Sequence, residues 1–232
     1  MKTGVPCNIK KALGRNRLSR DEARRMAANF AKLPELFFGP ATDSRDGGNY
    51  RMSSITLAEV VSFWREAGAE RWFKKDEDFD LTIRSKFLAI HEAAARGELT
   101  AWEESPEGAL ALVLLLDQFP RNIFRGSPHA FATDPLARAV ANRALARGFD
   151  QATDEMLRPF FYLPFMHSEL AADQQHSLRL HEAFGDPERL RHAVIHRDIV
   201  LKFGRFPHRN RVMGRDTTPA EQEFLDGGGF AG

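Results

Sequence analysis

Residues 56–64 read TLAEVVSFW and contain both signals that decide the fold class, a helix start and a helical stripe of apolar side chains. Thr56 and Glu59 form a capping box, in which each side chain binds a backbone N–H that the first helical turn leaves free. The apolar residues keep the spacing of one helix face: Leu57, Val60, Val61 and Trp64. The stretch therefore predicts an amphipathic helix that begins near Leu57.

Similar helix-start signals recur toward the C-terminus. Three capping residues each precede a proline, whose missing N–H costs nothing at the first helical position: Ser105, Asp134 and Asp186. Thr218, Pro219 and Glu221 combine both devices and predict a last helix before a run of glycines. Another apolar stripe at helical spacing ends where Gly97 can stop the helix: Phe79, Ile83, Phe87, Ile90 and Ala94. Long helices are therefore expected through most of the chain.

Strand signals are weak, because β-branched residues show no sustained alternation and the turn-like run Asp46-Gly47-Gly48 joins no strands. We predict an all-α fold, an antiparallel helical array or bundle with short connections. The main domain is expected over residues 54–232. An N-terminal extension, residues 1–53, is expected to contain one helix at about residues 20–32 and to be partly disordered.

Composition and charge exclude several classes of protein. The chain has 232 residues, of which 43% are hydrophobic, enough to bury a sizeable core. Its 33 Lys and Arg residues nearly balance 32 Asp and Glu residues, so no nucleic-acid or membrane partner is expected. The apolar run from Ala109 to Leu116 is too short to span a bilayer. A single cysteine, Cys7, and a basic N-terminus without an apolar stretch behind it favour a cytoplasmic location.

Four segments are more specific than helical filler: SFW and RWF at 62–64 and 71–73, LDQFPRN at 116–122, LPFMHSE at 163–169, and FGRFPHRN at 203–210. In this order, and over roughly residues 57–225, they resemble the bacterial family known as domain of unknown function 924. The resemblance implies stacked antiparallel helices similar to the tetratricopeptide-repeat superfamily. It implies no activity, catalytic residue or cofactor, and we expect no cofactor.

A basic turn is the most informative segment for function. Residues 204–215 hold four arginines and one histidine without an acidic residue: Arg205, Arg209, Arg211, Arg215 and His208. Like charges this close repel one another unless something negative compensates them. One interpretation is a site for a small anionic ligand or an acidic peptide, bound by Arg205, Arg209 and Arg215. The residues expected to orient the ligand are His208, Asn210, Arg121 and Asn122. The equally weighted alternative is structural: the arginines pair with acids such as Asp117 or Glu169 and staple the last helices together.

The segments at 116–122 and 163–169 supply the other candidates. Asp117, Arg121 and Asn122 directly follow the most apolar helix, and we expect them to line the same cavity as the basic turn, with Asp117 as its counter-charge. His167 lies beside Glu169, the pairing of an oriented general base, although Ser168 and Glu169 are also typical of a helix start.

An enzyme is therefore the second hypothesis, with His167, Glu169 and His208 as catalytic candidates. It would hydrolyse or transfer a phosphate or carboxylate ester. A protein–protein interaction scaffold is the third. His192 and His196 have metal-ligand spacing but no evident third ligand, so no metal site is predicted. The phosphate-binding loop, the dinucleotide-binding turn and the serine nucleophile elbow all lack a matching motif.

Overall fold

The computed structural model describes residues 55–230, which form helices, turns and loops without a strand. The predicted all-α fold is thus confirmed for this part of the chain. The predicted extension over residues 1–53, with its helix at about residues 20–32, lies outside the described residues. No helix between residues 55 and 230 is long and apolar enough to cross a membrane.

The α-helices follow in this order: α1 Leu57–Ala67, α2 Ala69–Trp72, α3 Glu77–Ala95, α4 Pro106–Val113, α5 Phe119–Ile123, α6 Asp134–Ala146, α7 Leu163–Met166, α8 Ala171–Phe184, α9 Pro187–Phe203 and α10 Pro219–Asp226. Short 3₁₀ turns lie between several of them: Thr100–Glu104, Pro128–Phe131, Arg158–Phe161 and Pro207–Arg209. A π-helical segment, Leu114–Gln118, joins α4 to α5. Only two residues connect α8 to α9, and the two helices pack on each other, as in an antiparallel hairpin.

The capping predictions are confirmed at most positions. The Glu59 N–H donates to Thr56 Oγ1 at 3.2 Å, and the Thr56 N–H donates to Glu59 Oε2 at 2.7 Å. The caps at Ser105, Asp186 and Thr218 are also formed. The prediction for Asp134 is wrong: Thr133 occupies the cap position, and the Asp134 carboxylate instead binds Arg121. The predicted cap at Ser168 is also displaced, since Leu170 precedes α8.

Two groups of apolar side chains hold these helices together. The larger contains Trp64, which is fully buried and packs against Trp72 and Phe160, and it includes every residue of α4 from Ala109 to Val113. The smaller, which we call the C-terminal cluster, consists of side chains of α9, α10 and the segments after them: Ile199, Val200 and Phe206, with Ile195, Phe203, Phe224 and Phe230 packed against them. Both groups contribute walls to the candidate site.

Candidate functional site

The site begins at the π-helical segment between α4 and α5. The Phe119 N–H donates to Leu114 O instead of Leu115 O, and Pro120 has no N–H to donate to Leu116 O. Both freed carbonyl groups have side-chain donors: His91 Nδ1 lies 2.8 Å from Leu115 O, and Thr133 Oγ1 lies 2.6 Å from Leu116 O. Both freed carbonyl oxygens of the widened turn therefore accept a hydrogen bond. π-helical insertions of this kind are frequent at functional sites.

Asp117 lies on this widened turn and is completely buried. Its carboxylate binds Arg121 Nη1 at 3.3 Å, accepts a hydrogen bond from Gln118, and lies 3.0 Å from His167 Nδ1 through both oxygens. Burial alone would raise the pKa of Asp117, but the Arg121 charge and these hydrogen bonds hold it well below its usual value. Asp117 is therefore an ionised carboxylate inside the protein.

His167, at the end of α7, is oriented by this carboxylate. Gln174 Nε2 donates to Met166 O and Ser168 O, at 2.6 Å each, and so fixes the backbone on both sides of His167. Burial, with the nearby Arg121 charge, lowers the pKa of His167, so the ring is neutral at pH 7. Nδ1–H then donates to Asp117, and the lone pair of Nε2 is left without a hydrogen-bond partner among residues 55–230.

Arg121 is fixed between two carboxylates. Its guanidinium binds Asp134 through two hydrogen bonds, of 3.1 and 3.2 Å, while it also contacts Asp117. Burial raises the pKa of Asp134, and the negative charge of Asp117 raises it further. The positive charge of Arg121 lowers this pKa, but by less than burial raises it. The charge of Arg121 is thus matched within the protein.

Arg209, from the basic turn, is held differently. Its side chain lies between the rings of Phe131 and Phe206, with the guanidinium carbon 4.6 Å from each ring centre. Nη1 donates to His167 O at 3.0 Å, and the nearest carboxylate that it reaches, Asp134, is 3.9 Å away. The buried Nε–H of Arg209 has no hydrogen-bond partner within the described residues. Burial lowers the pKa of Arg209 to about 10, so it remains a cation at pH 7.

These groups surround a cavity of about 600 Å³. Its polar wall consists of Gln118, Arg121, Asn122, His167, His208 and Arg209, and its apolar wall includes Trp72, Phe131, Leu163, Met166, Val212 and Phe230. Lys74, Arg125 and Arg189 add further basic groups, and none of the lining residues between 55 and 230 is acidic. The carboxylates of Asp117 and Asp134 lie behind the wall.

Further histidines complete the wall: His181, His192 and His196. Burial lowers the pKa of His196 to about 3 and that of His208 to about 4, so both rings are neutral at pH 7. His208 Nδ1 is buried and has no hydrogen-bond partner in the region from residue 55 to residue 230. In the part of the chain that the structure describes, no three metal-ligating side chains are grouped to hold an ion.

Six of the candidates from the sequence meet here: Asp117, Arg121, Asn122, His167, His208 and Arg209. The sequence predicts Asp117 as the counter-charge of the basic turn. In the structure Asp117 pairs with Arg121 and, within residues 55–230, forms no ion pair with an arginine of that turn. The expected pairing of His167 with Glu169 is also replaced, by Asp117.

The remaining candidates lie outside the cavity. Arg205 binds Glu221 through hydrogen bonds of 2.6 and 2.8 Å, and Arg215 binds Glu169 through bonds of 2.7 and 3.0 Å. Glu169 also accepts the Phe206 N–H at 2.9 Å, and the Asn210 side chain contacts Thr217. The structural interpretation of the basic turn thus describes Arg205 and Arg215, whereas Arg209 reaches the cavity.

Sequence reasoning missed several residues of the site. Asp134 has the sequence of a helix cap, and this local signal conceals its contact with Arg121. Phe131 has no local signal, because it contacts Arg209 far along the chain, and Gln174 looks like an ordinary polar residue of a helix although it binds the backbone beside His167. The Trp72 and Phe73 pair stands out in the sequence, and both side chains line the cavity.

Comparison with known proteins identifies a family without assigning an activity. A solved structure of a protein of unknown function from Agrobacterium tumefaciens is 53% identical in sequence, with a TM-score of 0.72 over 74% of this chain and 97% of that one. No curated protein matches the chain. The family model described as bacterial protein of unknown function (DUF924) matches residues 60–229. The chain therefore belongs to the bacterial DUF924 family.

Proposed function

We propose that this protein binds a small organic anion, whose carboxylate or phosphate group contacts Arg209 inside the cavity. One observation carries the proposal: Arg209 is only 8% exposed, yet among residues 55–230 its nearest carboxylate, Asp134, lies 3.9 Å away and its Nε–H has no hydrogen-bond partner. A buried charge is costly unless it is paired and hydrogen-bonded. An anion in the cavity would supply what Arg209 lacks.

The neighbouring arginines make this contrast clear. Arg205 and Arg215 come from the same basic turn, and each forms two hydrogen bonds to a carboxylate. The fold thus provides acids for these two and keeps Asp134 3.9 Å from Arg209. The rings of Phe131 and Phe206 hold the guanidinium plane, so the side chain is already ordered for a planar carboxylate or a phosphate.

The rest of the wall suits a metabolite more than an inorganic ion. The cavity volume of about 600 Å³ falls in the ordinary range of small-molecule sites, and the apolar side chains of the wall can cover a carbon skeleton. Arg121, Asn122 and His167 offer polar contacts beyond the anionic group. These features favour an organic anion with several polar substituents.

The test is calorimetric binding at pH 7.5 with inorganic phosphate, succinate, glutarate and a short peptide that ends in glutamate. We expect the wild type to bind at least one organic anion and Arg209→Met to bind it at least ten times more weakly. Arg215→Met is the matched control, because it removes an arginine of the same turn that lies outside the cavity, and it should bind like the wild type. Binding of the peptide alone would indicate a peptide terminus as occupant, and a wild type that binds none of the four would refute the proposal.

Stability separates the two arginines in the same experiment. Arg215→Met leaves the partly buried Glu169 carboxylate without its cation and should lower the free energy of unfolding by about 1–3 kcal/mol. Arg209→Met keeps an apolar chain beside the two rings and removes a buried charge whose nearest carboxylate lies 3.9 Å away, so stability should stay the same or rise. Urea unfolding measures both, and a large loss in Arg209→Met would show that Arg209 is a structural residue.

A further inference from the structure

We infer that the cavity is a catalytic centre in which His167 is the general base, and that it hydrolyses a carboxylic ester whose second, anionic group is held by Arg209. This inference rests on the proposed function, since Arg209 must hold the substrate. It adds a reaction to the binding site.

His167 is held in the orientation that a general base requires. Asp117 holds Nδ1 through both carboxylate oxygens at 3.0 Å, and Gln174 fixes the backbone on either side. A neutral histidine held in this way presents an Nε2 lone pair, and His167 lines the cavity. A carboxylate behind the ring also stabilises the imidazolium that forms when Nε2 takes a proton.

Two arginine side chains lie close to His167. Arg209 Nη1 lies 3.0 Å from the backbone oxygen of His167, so the proposed anion site is adjacent to the base. Arg121, which contacts the Asp117 carboxylate, also lines the cavity. These guanidinium groups can stabilise negative charge that develops on a carbonyl oxygen near His167.

The nucleophile is not supplied by the described part of the wall. Among residues 55–230, the side chains that line the cavity include no serine, threonine or cysteine, so this part of the wall offers no hydroxyl or thiol to attack the substrate. Water is the nucleophile that a histidine base can activate without a covalent intermediate. The arrangement therefore favours direct hydrolysis over transfer through an acyl-enzyme.

Hydrolysis of the ester would proceed in two steps. His167 Nε2 takes a proton from water as the water oxygen bonds to the ester carbonyl carbon, and the carbonyl oxygen becomes an oxyanion beside the guanidinium groups. The carbon–oxygen bond to the alcohol then breaks, and the His167 imidazolium returns its proton to the leaving alkoxide. The products are one carboxylic acid, which ionises, and one alcohol.

The test uses the mono-4-nitrophenyl ester of glutarate, whose free carboxylate is the anionic group, and 4-nitrophenyl butyrate, which lacks it. We expect the wild type to release nitrophenolate from the glutarate ester and to prefer it to the butyrate ester. Both His167→Gln and His167→Asn should reduce kcat about 100-fold or more. The control is His176→Gln on α8, a histidine outside the cavity that packs on Phe165, and it should keep the wild-type rate.

Asp117→Asn tests the positioning role through the pH profile. The Asp117 charge raises the pKa of His167, so its removal should lower kcat and shift the acid limb of the profile to lower pH. A residue that only supported the fold would lower the rate without moving the limb. If the His167 variants do not fold, the wild-type profile still decides: the rate must rise with pH through one titration below pH 6.5, the ordinary value for histidine.

Calorimetry with glutarate on the same samples separates the two proposals. A wild type that binds glutarate but hydrolyses the ester no faster than His167→Gln overturns the catalytic inference and leaves the binding function standing. A wild type that cleaves both esters equally well overturns the role given to Arg209 in catalysis. A wild type that binds another of the four anions but neither binds glutarate nor cleaves its ester overturns the catalytic inference alone, and one that binds none of the four and cleaves neither ester overturns both proposals.

Discussion

The protonation state of single histidines in this cavity depends on how deeply each ring is buried. His196 is the clearest case, because it is 7% exposed and its ring contacts those of Phe206 and Phe230. Burial lowers its pKa from 6.5 to about 3. The folded protein therefore keeps His196 neutral at a pH where the unfolded chain already binds the proton.

The stability of the protein should consequently fall on acidification below pH 6.5. Below pH 6.5 the unfolded chain binds a proton at His196 that the folded protein does not bind. The contribution of His196 to the free energy of unfolding is therefore constant above about pH 6.5 and is lost as the pH falls toward 3. Between pH 6 and pH 5 the wild type should lose about 1 kcal/mol more than His196→Phe, which cannot titrate. Urea unfolding at both pH values measures the difference, and equal losses would show that His196 titrates normally in the folded state.

The basic turn shows where residue-level prediction from the sequence ends. The absence of acids between residues 204 and 215 correctly indicates that its arginines need distant partners. Arg205 finds Glu221, 16 residues later, and Arg215 finds Glu169, 46 residues earlier. Only the folded chain decides that Arg209 forms no comparably close ion pair within residues 55–230, so the sequence alone could not distinguish a structural arginine from a ligand site.

At the scale of elements, the junction between α4 and α5 depends on donors from other parts of the chain. Thr133 is 2% exposed, and its hydroxyl is the donor that Leu116 O receives in place of a backbone N–H. Thr133→Val keeps the shape of the side chain and leaves that buried carbonyl unsatisfied. We expect a loss of about 1–3 kcal/mol in the free energy of unfolding.

The control for this prediction is Thr133→Ser, which retains the hydroxyl and loses one methyl group, and its loss should be smaller. The measurement is the urea midpoint with an unchanged slope, since an unchanged slope indicates the same unfolding reaction. Equal losses in the two variants would mean that packing, and not the hydrogen bond, explains the role of Thr133.

Elements differ in how well their sequence predicts them. The capping boxes at Thr56 and Thr218 act within one helical turn, so the sequence predicts them correctly. The π-helical segment needs His91 and Thr133, which lie 24 and 17 residues from the carbonyl groups they satisfy, and no local pattern announces it. The sequence therefore indicates that Asp117 follows a core helix, but not that it lies on a widened turn.

At the scale of the whole described molecule, the cavity takes its walls from both groups of apolar side chains. Trp72, Leu163 and Met166 belong to the larger group, while Phe230 packs against the C-terminal cluster. Residues that line the cavity thus come from widely separated parts of the sequence. The family resemblance is confirmed over residues 60–229, whereas the meeting of residues from the segments 71–73, 116–122, 163–169 and 203–210 in one cavity follows from the packing of the helices.

Phe230 gives this arrangement a direct test, because it connects the C-terminal cluster to two cavity histidines. Its ring centre lies 4.5 Å from that of His196 and 5.4 Å from that of His208. Phe230→Ala would open the covered side of both rings to water. Since burial is the main cause of their lowered pKa values, about 3 and about 4, both should move toward 6.5.

The matched control is Phe224→Ala, which removes a ring of the same cluster that packs on Phe203 and does not line the cavity. Both variants should lose stability, by about 1–3 kcal/mol for rings at the edge of a core, but only Phe230→Ala should change the two histidines. NMR titration of the ring protons measures each pKa directly. If both variants raise the pKa values equally, the histidines respond to general loosening of the C-terminal cluster; if only Phe230→Ala does, this single ring keeps water from the histidine side of the cavity.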